Sequence, residues 1–369
     1  MEQRLYKATE QNEDLKYLTH TYEEVKVKMK KHLTSVQERF PHYSRHDVTH
    51  VKKIIDSIEL ILGKDRINKL SIGDVWMILV SAYLHDIGML FSSDEEEEIW
   101  KFQSMDNFMS ECEKGINNAD ILQAIKIIRN KDQNDQMKVN HSVTVLTAEY
   151  IRKNHAQRSR QIVDGNSPLS QLIKLPCQYA FRNEWEYVGK IIEHHGLDFS
   201  LILEEDFEPN LFPIPNCGNY HPRFVAALLR LGDLCDVQRG RFNEMSIAQF
   251  GLLPQISAQH YYKDQTMKHV HFNDKVIKMR AEIKFESITR ELSDEQFPTK
   301  TKKEDFCQQV VYQHVQWFHM LKTELVNIDR YRDSIFPRGV PNHIAKFEPK
   351  IIVDTDEMIL SLDDMRFNF

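Results

Sequence analysis

The chain has 369 residues, of which 41% are apolar, and its 48 basic and 55 acidic residues give a net charge of −7. This composition suffices for a large core, and the length favours two domains or one large domain with an appendage. The net negative charge provides no global attraction to nucleic acid. No apolar run approaches the roughly 20 residues of a membrane span. The polar first residues, and five cysteines without a C-x-x-C pair, predict a cytoplasmic protein with reduced thiols.

The chain up to about residue 240 shows helical periodicity. Apolar residues recur at intervals of three and four, which is typical of amphipathic helices that bury one face. Glycines after two of the segments and a proline at the start of another supply the expected end and start signals. The pattern predicts helices at 47–62, 74–86, 141–152, 184–195 and from 222 onwards.

The pattern of apolar residues changes after about residue 245. Residues 277–285 alternate strictly between apolar and charged, the pattern of a half-buried strand, and Asn273-Asp274 predicts a hairpin turn before it. A long helix is expected from Lys303 to Tyr331, followed by a possible returning strand at 350–353. We therefore expect a mostly α protein, with a helical bundle over 1–245 and a small α+β appendage over 246–369.

Polar residues that bind metals fall on the apolar faces of the five predicted helices. Each lies three, four, seven or eight residues from inward-facing apolar residues, so each points into the bundle. Burying so many imidazoles and carboxylates without partners costs several kcal/mol per group. A pair of divalent metals removes that cost, because it accepts nitrogen and carboxylate ligands together. The residues are His50, His85, Asp86, His141, His194, His195 and Asp233.

The order of these residues resembles the pattern H…HD…H…HH…D of the HD superfamily of metal-dependent phosphohydrolases, in its two-metal form. The resemblance covers about residues 40–240, and the runs SAYLHDIG and IIEHHG are its strongest parts. The opening run HYSRHDVTH is similar to the start of HD domains found in bacterial conflict and signalling proteins.

The resemblance implies a fold, a metal centre and a reaction. One metal is expected on His50, His85, Asp86 and Asp233, and a second on His141, His194 and His195, with Asp86 as the bridge. His85 and Asp86 are the implied catalytic pair, and a hydroxide bridging the two metals is the implied nucleophile. Manganese, iron, nickel, zinc, cobalt and magnesium all remain open as the divalent ion.

The sequence departs from the family patterns near the doublet. Many HD phosphodiesterases and nucleases have lysine where this chain has Met89, so a positive phosphate contact is missing there. His46 is a candidate for a third metal or for substrate binding, or it lies beside the helix N-cap without a ligand role. Three arginines near the motif residues are candidates for weak substrate-phosphate contacts: Arg45, Arg239 and Arg241.

The leading functional prediction is hydrolysis of a phosphoester in a nucleotide-type small molecule. One alternative is an HD-type nuclease acting on single-stranded nucleic acid, with a groove lined by the basic residues at 152–160. The other is a nucleotide-sensing module with little turnover in a bacterial defence system. The expected partners are a phosphorylated small molecule, nucleic acid as an option, and a second copy or an associated ATPase.

Overall fold

A computed structural model describes residues 1–101, 103–115, 118–130, 135–176, 182–204, 207, 216–237, 240–242, 244–245, 253–353 and 358–360. The described chain is mostly helical, with one small sheet near the C-terminus. This confirms the predicted fold class. No single helix in these ranges is long and apolar enough to span a membrane; only the pair Ile72–Met89 and Ser93–Lys101, bent by 53°, passes that test when taken together.

The helices before residue 235 form the bundle. Their bounds are α1 Glu2–Gln11, α2 Lys16–His32, α3 Thr34–Arg39, α4 Val48–Lys69, α5 Ile72–Leu84, α6 Ser93–Lys101, α7 Gln103–Gly115, α8 Ala119–Arg129, α9 Gln136–Val163, α10 Pro168–Ile173, α11 Arg182–His194 and α12 Pro222–Leu234.

Helix α5 is the centre of the bundle. Every residue from Gly73 to Leu84 is buried, and α1, α2, α4, α11 and α12 pack around this helix. A helix that is apolar on all sides is stable only when it is enclosed in this way. Ser71 caps its start by accepting a hydrogen bond from the Asp74 amide at 2.8 Å. The doublet of His85 and Asp86 follows directly at its C-terminal end, so the site lies deep in the protein.

The remaining elements form the C-terminal region, defined here as residues 253–353. Its elements are α13 Gln255–Thr266, β1 Met267–Phe272, β2 Val276–Ile283, α14 Phe285–Glu291, α15 Lys300–Arg330, α16 Arg332–Ile335 and β3 Lys346–Val353; a short β4, Met358–Leu360, follows.

The sheet has the strand order β1-β2-β3-β4. Strands β1 and β2 form the predicted antiparallel hairpin, and β3 returns parallel to β2 after the crossover through α15. The predicted strand ends at Ile283, and Phe285 instead begins α14. Apolar residues of α15 and of the sheet belong to the same hydrophobic core as the bundle. The division at residues 245 and 246 stays a prediction.

Candidate metal centre

Asp86 lies at the centre of a cluster of histidines and aspartates. Its Oδ2 atom is 2.8 Å from His46 Nδ1, 3.0 Å from His85 Nε2 and 3.4 Å from His50 Nε2. Its Oδ1 atom is 3.5 Å from His155 Nε2 on the other side. The two carboxylate oxygens therefore face two different sets of imidazoles, as expected of a carboxylate that bridges two cations.

The first half-site adds Asp233 to His50 and His85. Asp233 Oδ1 is 3.4 Å from His50 Nε2 and 4.0 Å from His85 Nε2, and the two Nε2 atoms are 3.2 Å apart. The Asp233 side chain is 35% exposed, whereas both imidazoles are buried. The first half-site is therefore open to solvent on the Asp233 side.

The second half-site is formed by His155 and His195, whose Nε2 atoms are 2.9 Å apart. Ligand atoms of Asp86, His155 and His195 all lie within 4.8 Å of one another. His155 comes from the middle of α9, and His195 follows directly after α11. The pair faces Asp86 across the cluster from His50 and His85.

Backbone hydrogen bonds fix which nitrogen of three imidazoles faces the cluster. The Nδ1–H groups donate to the carbonyl three residues earlier, at 2.9 Å for His85 and 2.6 Å for His155, and His195 makes the same contact with Ile192. This leaves each Nε2 lone pair directed at the centre. Nitrogen ligands of one tetrahedral metal, bonded at about 2.0–2.1 Å, lie about 3.3 Å apart. The Nε2–Nε2 separations of 2.9 Å for His155 and His195 and 3.2 Å for His50 and His85 are close to that value, so a shared cation would fit each pair.

His50 is oriented by a carboxylate instead of a carbonyl. Its Nδ1 lies 2.6 Å from Asp236 Oδ2, and the same oxygen is 3.2 Å from Arg241 Nε. Carboxylates in this outer position fix the tautomer of a metal-binding histidine and increase its basicity. Asp236 therefore supports the first half-site through His50.

Electrostatic coupling within the cluster shifts several pKa values. Burial lowers the pKa of His50, but hydrogen bonds to Asp236 and Asp86 outweigh it and raise the pKa to about 9. Burial, with His155 and His85 nearby, lowers the pKa of His195 to about 3. Burial opposes ionisation of Asp86, yet His85 and His46 hold its pKa well below the ordinary value. Asp86 is consequently ionised, and the imidazole of His195 is neutral.

Residues 85–90, which include the doublet and the loop after it, form hydrogen bonds with α9. These bonds hold α9 close to the doublet and thereby bring His155 near Asp86. Ser159 Oγ donates to the His85 carbonyl at 2.6 Å and accepts from the Gly88 amide at 2.9 Å. Arg158 donates to the Gly88 and Leu90 carbonyls. A Cβ atom on Gly88 would lie 2.0 Å from the His155 carbonyl oxygen. Glycine is required there because the backbone of α9 passes too close for any side chain.

Two predicted ligands are corrected by this geometry. His141 lies fourteen residues before His155 on α9, about 21 Å away at 1.5 Å per residue. It is exposed and interacts with Asp120 instead. His194 donates its Nδ1–H to the Lys190 carbonyl at 2.7 Å, and its ring packs on Phe207 with 4.6 Å between centroids. Among the described residues, neither joins the groups that could hold a metal.

His155 was missed because the sequence pattern offered His141 first on the same helix. It lies four residues after buried Ile151 and four before buried Ser159, so it falls on the inward face of α9. That spacing is the signal that could have identified it. The other predicted ligands, His50, His85, Asp86, His195 and Asp233, do come together, and His46 adjoins them.

Two of the three arginines predicted to contact a substrate phosphate lie near the cluster. Arg241 is beside Asp236, and its carbonyl accepts a hydrogen bond from the Arg45 amide at 2.5 Å, which places Arg45 next to it. Arg239 lies outside the described residues. The basic residues considered for a nucleic-acid groove have intramolecular partners: Arg152 binds Glu149, Lys153 binds Glu111, and Arg160 binds Asp164 and Glu193.

The helical bundle and its buried cluster of histidines and aspartates define an HD-type domain. The chain matches the model of the HD-CE family over residues 40–317, well over half of its length, and it belongs to that family. No curated protein and no solved structure shows a significant match to it. Membership of this family and the ligand cluster together indicate a metal-dependent hydrolase.

Proposed function

We propose that this protein hydrolyses a phosphoester of a nucleotide-type substrate at a centre that holds two divalent metals. The observation that carries the proposal is the position of Asp86, whose two oxygens face separate sets of imidazole nitrogens. His50, His85, Asp86 and Asp233 would hold one ion, and Asp86, His155 and His195 the other. Such a pair activates water and offsets the charge of a phosphoryl group.

The exposure and charge of the residues around the cluster support a route for the substrate. The Asp233 side chain is 35% exposed, whereas His50 and His85 are buried, so we expect the phosphoryl group to approach from its side. Arg241 lies beside Asp236, where its guanidinium adds a positive charge next to the cluster. Asp236 keeps His50 in place through the bond at 2.6 Å.

A small substrate is favoured over a polymer by the pairing of the basic residues on α9. Arg152 and Lys153 each contact a glutamate, so their charges are already compensated within the chain. Single-stranded nucleic acid requires an uncompensated positive groove with stacking side chains. The proposal therefore takes a mononucleotide-sized phosphoester as the substrate.

Metal analysis followed by a hydrolysis screen tests the proposal. Purified protein is loaded with Mn²⁺, Fe²⁺, Ni²⁺ or Mg²⁺ and assayed on mononucleotides, cyclic dinucleotides and single-stranded oligonucleotides. We expect turnover of small nucleotides with at least one of these metals, and none with EDTA or in Asp86→Asn. Cleavage confined to oligonucleotides, with steep salt dependence, would support the nuclease instead. Ligand binding without turnover would support the sensor.

A further inference from the structure

His46 lies in the short segment between α3 and α4, and its backbone is anchored on both sides. The Arg45 amide before it donates to the Arg241 carbonyl, and the side chain of Asp47 after it caps the start of α4. The His46 side chain is 19% exposed, and its ring stands edge-on to the ring of His50, with 5.8 Å between centroids. The anchored backbone therefore holds this imidazole against the cluster.

The imidazole of His46 meets Asp86 through Nδ1. This nitrogen is 2.8 Å from Asp86 Oδ2, the same oxygen that lies 3.0 Å from His85 Nε2 and 3.4 Å from His50 Nε2. His50 and His85 turn Nε2 toward the oxygen and bond through Nδ1 to acceptors outside the cluster. His155 also faces Asp86 with Nε2. Among the imidazoles that the structure describes around Asp86, His46 alone presents Nδ1.

This difference decides which imidazole can donate a hydrogen bond to Asp86 when metals are bound. A histidine that binds a cation through Nε2 carries no proton on that atom, so the four proposed histidine ligands cannot donate to the carboxylate. His46 can keep a proton on Nδ1 and donate it to the lone pair of Oδ2 that the metal does not use. Asp86 is only 4% exposed, so a lone pair left without a metal or a donor would be costly.

A third ion is the other use that the sequence left open for His46. Ligand atoms of His46, His50 and Asp86 do lie within 4.8 Å of one another. His50 and Asp86 also belong to the two half-sites, so His46 is the only ligand that a third ion would not share with another ion. Catalytic zinc sites typically take three protein ligands for one ion. Within the described part of the chain, the cluster therefore has ligands for two ions but not for a third.

We propose that His46 is a positioning residue, which donates Nδ1–H to Asp86 Oδ2 and thereby holds this carboxylate in the orientation that bridges two ions. In that orientation Oδ1 faces His155 and Oδ2 faces His85. The torsion that sets the plane of an aspartate carboxylate is broad, so without this hydrogen bond the plane can turn away from both half-sites. Ligating carboxylates are commonly held by such outer hydrogen bonds. The inference rests on the two-metal centre of the proposed function.

Two amide substitutions at His46 test this role, because they place an N–H donor at different reach from the backbone. The Nδ2 atom of asparagine lies as many bonds from Cα as the Nδ1 atom of histidine, whereas the Nε2 atom of glutamine corresponds to the histidine Nε2. His46→Asn should therefore keep the hydrogen bond to Asp86, and His46→Gln should lose it. Mn²⁺ titration followed by electron paramagnetic resonance measures the number of bound ions, their affinities and the exchange coupling of a bridged pair.

We expect His46→Gln to bind both ions about 10–100-fold more weakly than the wild type, with loss of the exchange-coupled signal. His46→Asn should keep that signal and the wild-type affinities. His20→Gln changes an exposed histidine on α2 and should match the wild type as the control. Circular dichroism spectra establish that each variant is folded.

Wild-type affinities in His46→Gln overturn this role, as does equal weakening in His46→Asn and His46→Gln. Tighter binding by His46→Gln than by His46→Asn would assign the contact to Nε2, and three Mn²⁺ ions per wild-type chain would make His46 a ligand; both results contradict the proposal. If His46→Gln does not fold, NMR of the Zn²⁺-loaded wild type with ¹⁵N-labelled histidine replaces it. The His46 signals, assigned by their loss in His46→Asn, should show a proton on Nδ1, and a proton on Nε2 instead contradicts the proposal.

The outcomes separate this inference from the proposed function. Two coupled ions with the expected contrast between the variants, but no hydrolysis of the screened phosphoesters, support the role of His46 and reject the proposed reaction. Hydrolysis by the wild type together with equal metal affinities in His46→Gln supports the reaction and rejects the role of His46. A wild type that binds no ion overturns both.

Discussion

The helical bundle and the C-terminal region contribute to the site in different ways. Among the described residues, every member of the three potential metal groups lies in the bundle. The C-terminal region instead contacts the ends of the helices that carry them. Glu324 of α15 pairs with Arg230, which donates to the His194 carbonyl at 2.5 Å and the Leu197 carbonyl at 2.6 Å. The bundle thus supplies the side chains of the potential metal groups, whereas both regions contribute contacts that position those side chains.

The largest effect is expected at the bridge. Asp86→Asn removes the charge that both half-sites share, so both ions should be lost and turnover abolished. The effect should exceed the roughly 10–100-fold loss typical of supporting residues. Metal content by plasma mass spectrometry and a circular dichroism spectrum check it. A folded variant that retains two ions and wild-type turnover would refute the role of Asp86.

Two histidines on α9 provide a matched pair within the bundle. His155→Ala should lose the second ion and nearly all turnover, because His195 and Asp86 alone cannot hold it. His141→Ala should keep both, since His141 lies about 21 Å away along the same helix. Metal stoichiometry of the two variants decides between them. Loss of metal in His141→Ala with normal metal in His155→Ala would reverse the assignment.

Gly88 tests the contact between the doublet loop and α9. In Gly88→Ala, the new methyl group meets the His155 carbonyl and the Ser159 amide at 2.0 and 2.6 Å, so the backbone must separate. Overpacking of this kind costs about 1–3 kcal/mol, and the displacement of His155 should also weaken metal binding. Urea unfolding and metal titration measure both. Gly115→Ala, which adds a methyl group in open space, is the control. Equal unfolding free energies and equal metal affinities in the two variants would contradict a role for the contact between Gly88 and α9.

Glu324 tests whether the C-terminal region positions His195. In Glu324→Gln the buried partner of Arg230 loses its charge, and the carbonyls at the end of α11 are held less firmly. We expect metal affinity at the second half-site to fall about 10–100-fold, as for other supporting residues, with the first half-site unchanged. The exposed pair of Lys300 and Glu304 on the same helix supplies the control Glu304→Gln. An equal loss at both half-sites would indicate general destabilisation.

The bundle is easier to predict from sequence than the exact ligand set. The strict spacing of apolar residues on α4, α5 and α12 determines their inward faces, and it therefore predicts His50, Asp86 and Asp233 as members of the cluster. His141 and His155 both lie at helical intervals from apolar residues, and the close approach of Gly88 to α9 brings His155 next to the doublet. His194 and His195 are adjacent, but the ring of His194 packs on Phe207 and only His195 joins Asp86. Such long-range contacts leave no local pattern.

A further effect concerns acid stability in the C-terminal region. His314 is fully buried, and burial, with Lys263 nearby, lowers its pKa to about 3. The folded protein keeps it neutral, whereas the unfolded chain takes up a proton below pH about 6.5. Stability should therefore fall as the pH drops from about 6.5 towards 3, by up to about 1.4 kcal/mol per pH unit from this residue. Urea unfolding of His314→Gln and wild type in EDTA should show a shallower slope for the variant; parallel slopes would contradict it.

The most direct test of the two-metal centre is a crystal structure of Mn²⁺-loaded protein with anomalous scattering measured at the manganese edge. We expect two anomalous peaks on opposite sides of Asp86, one against His50, His85 and Asp233 and the other against His155 and His195. A single peak, no peak near Asp86, or a second ion held by His141 or His194 would contradict the account.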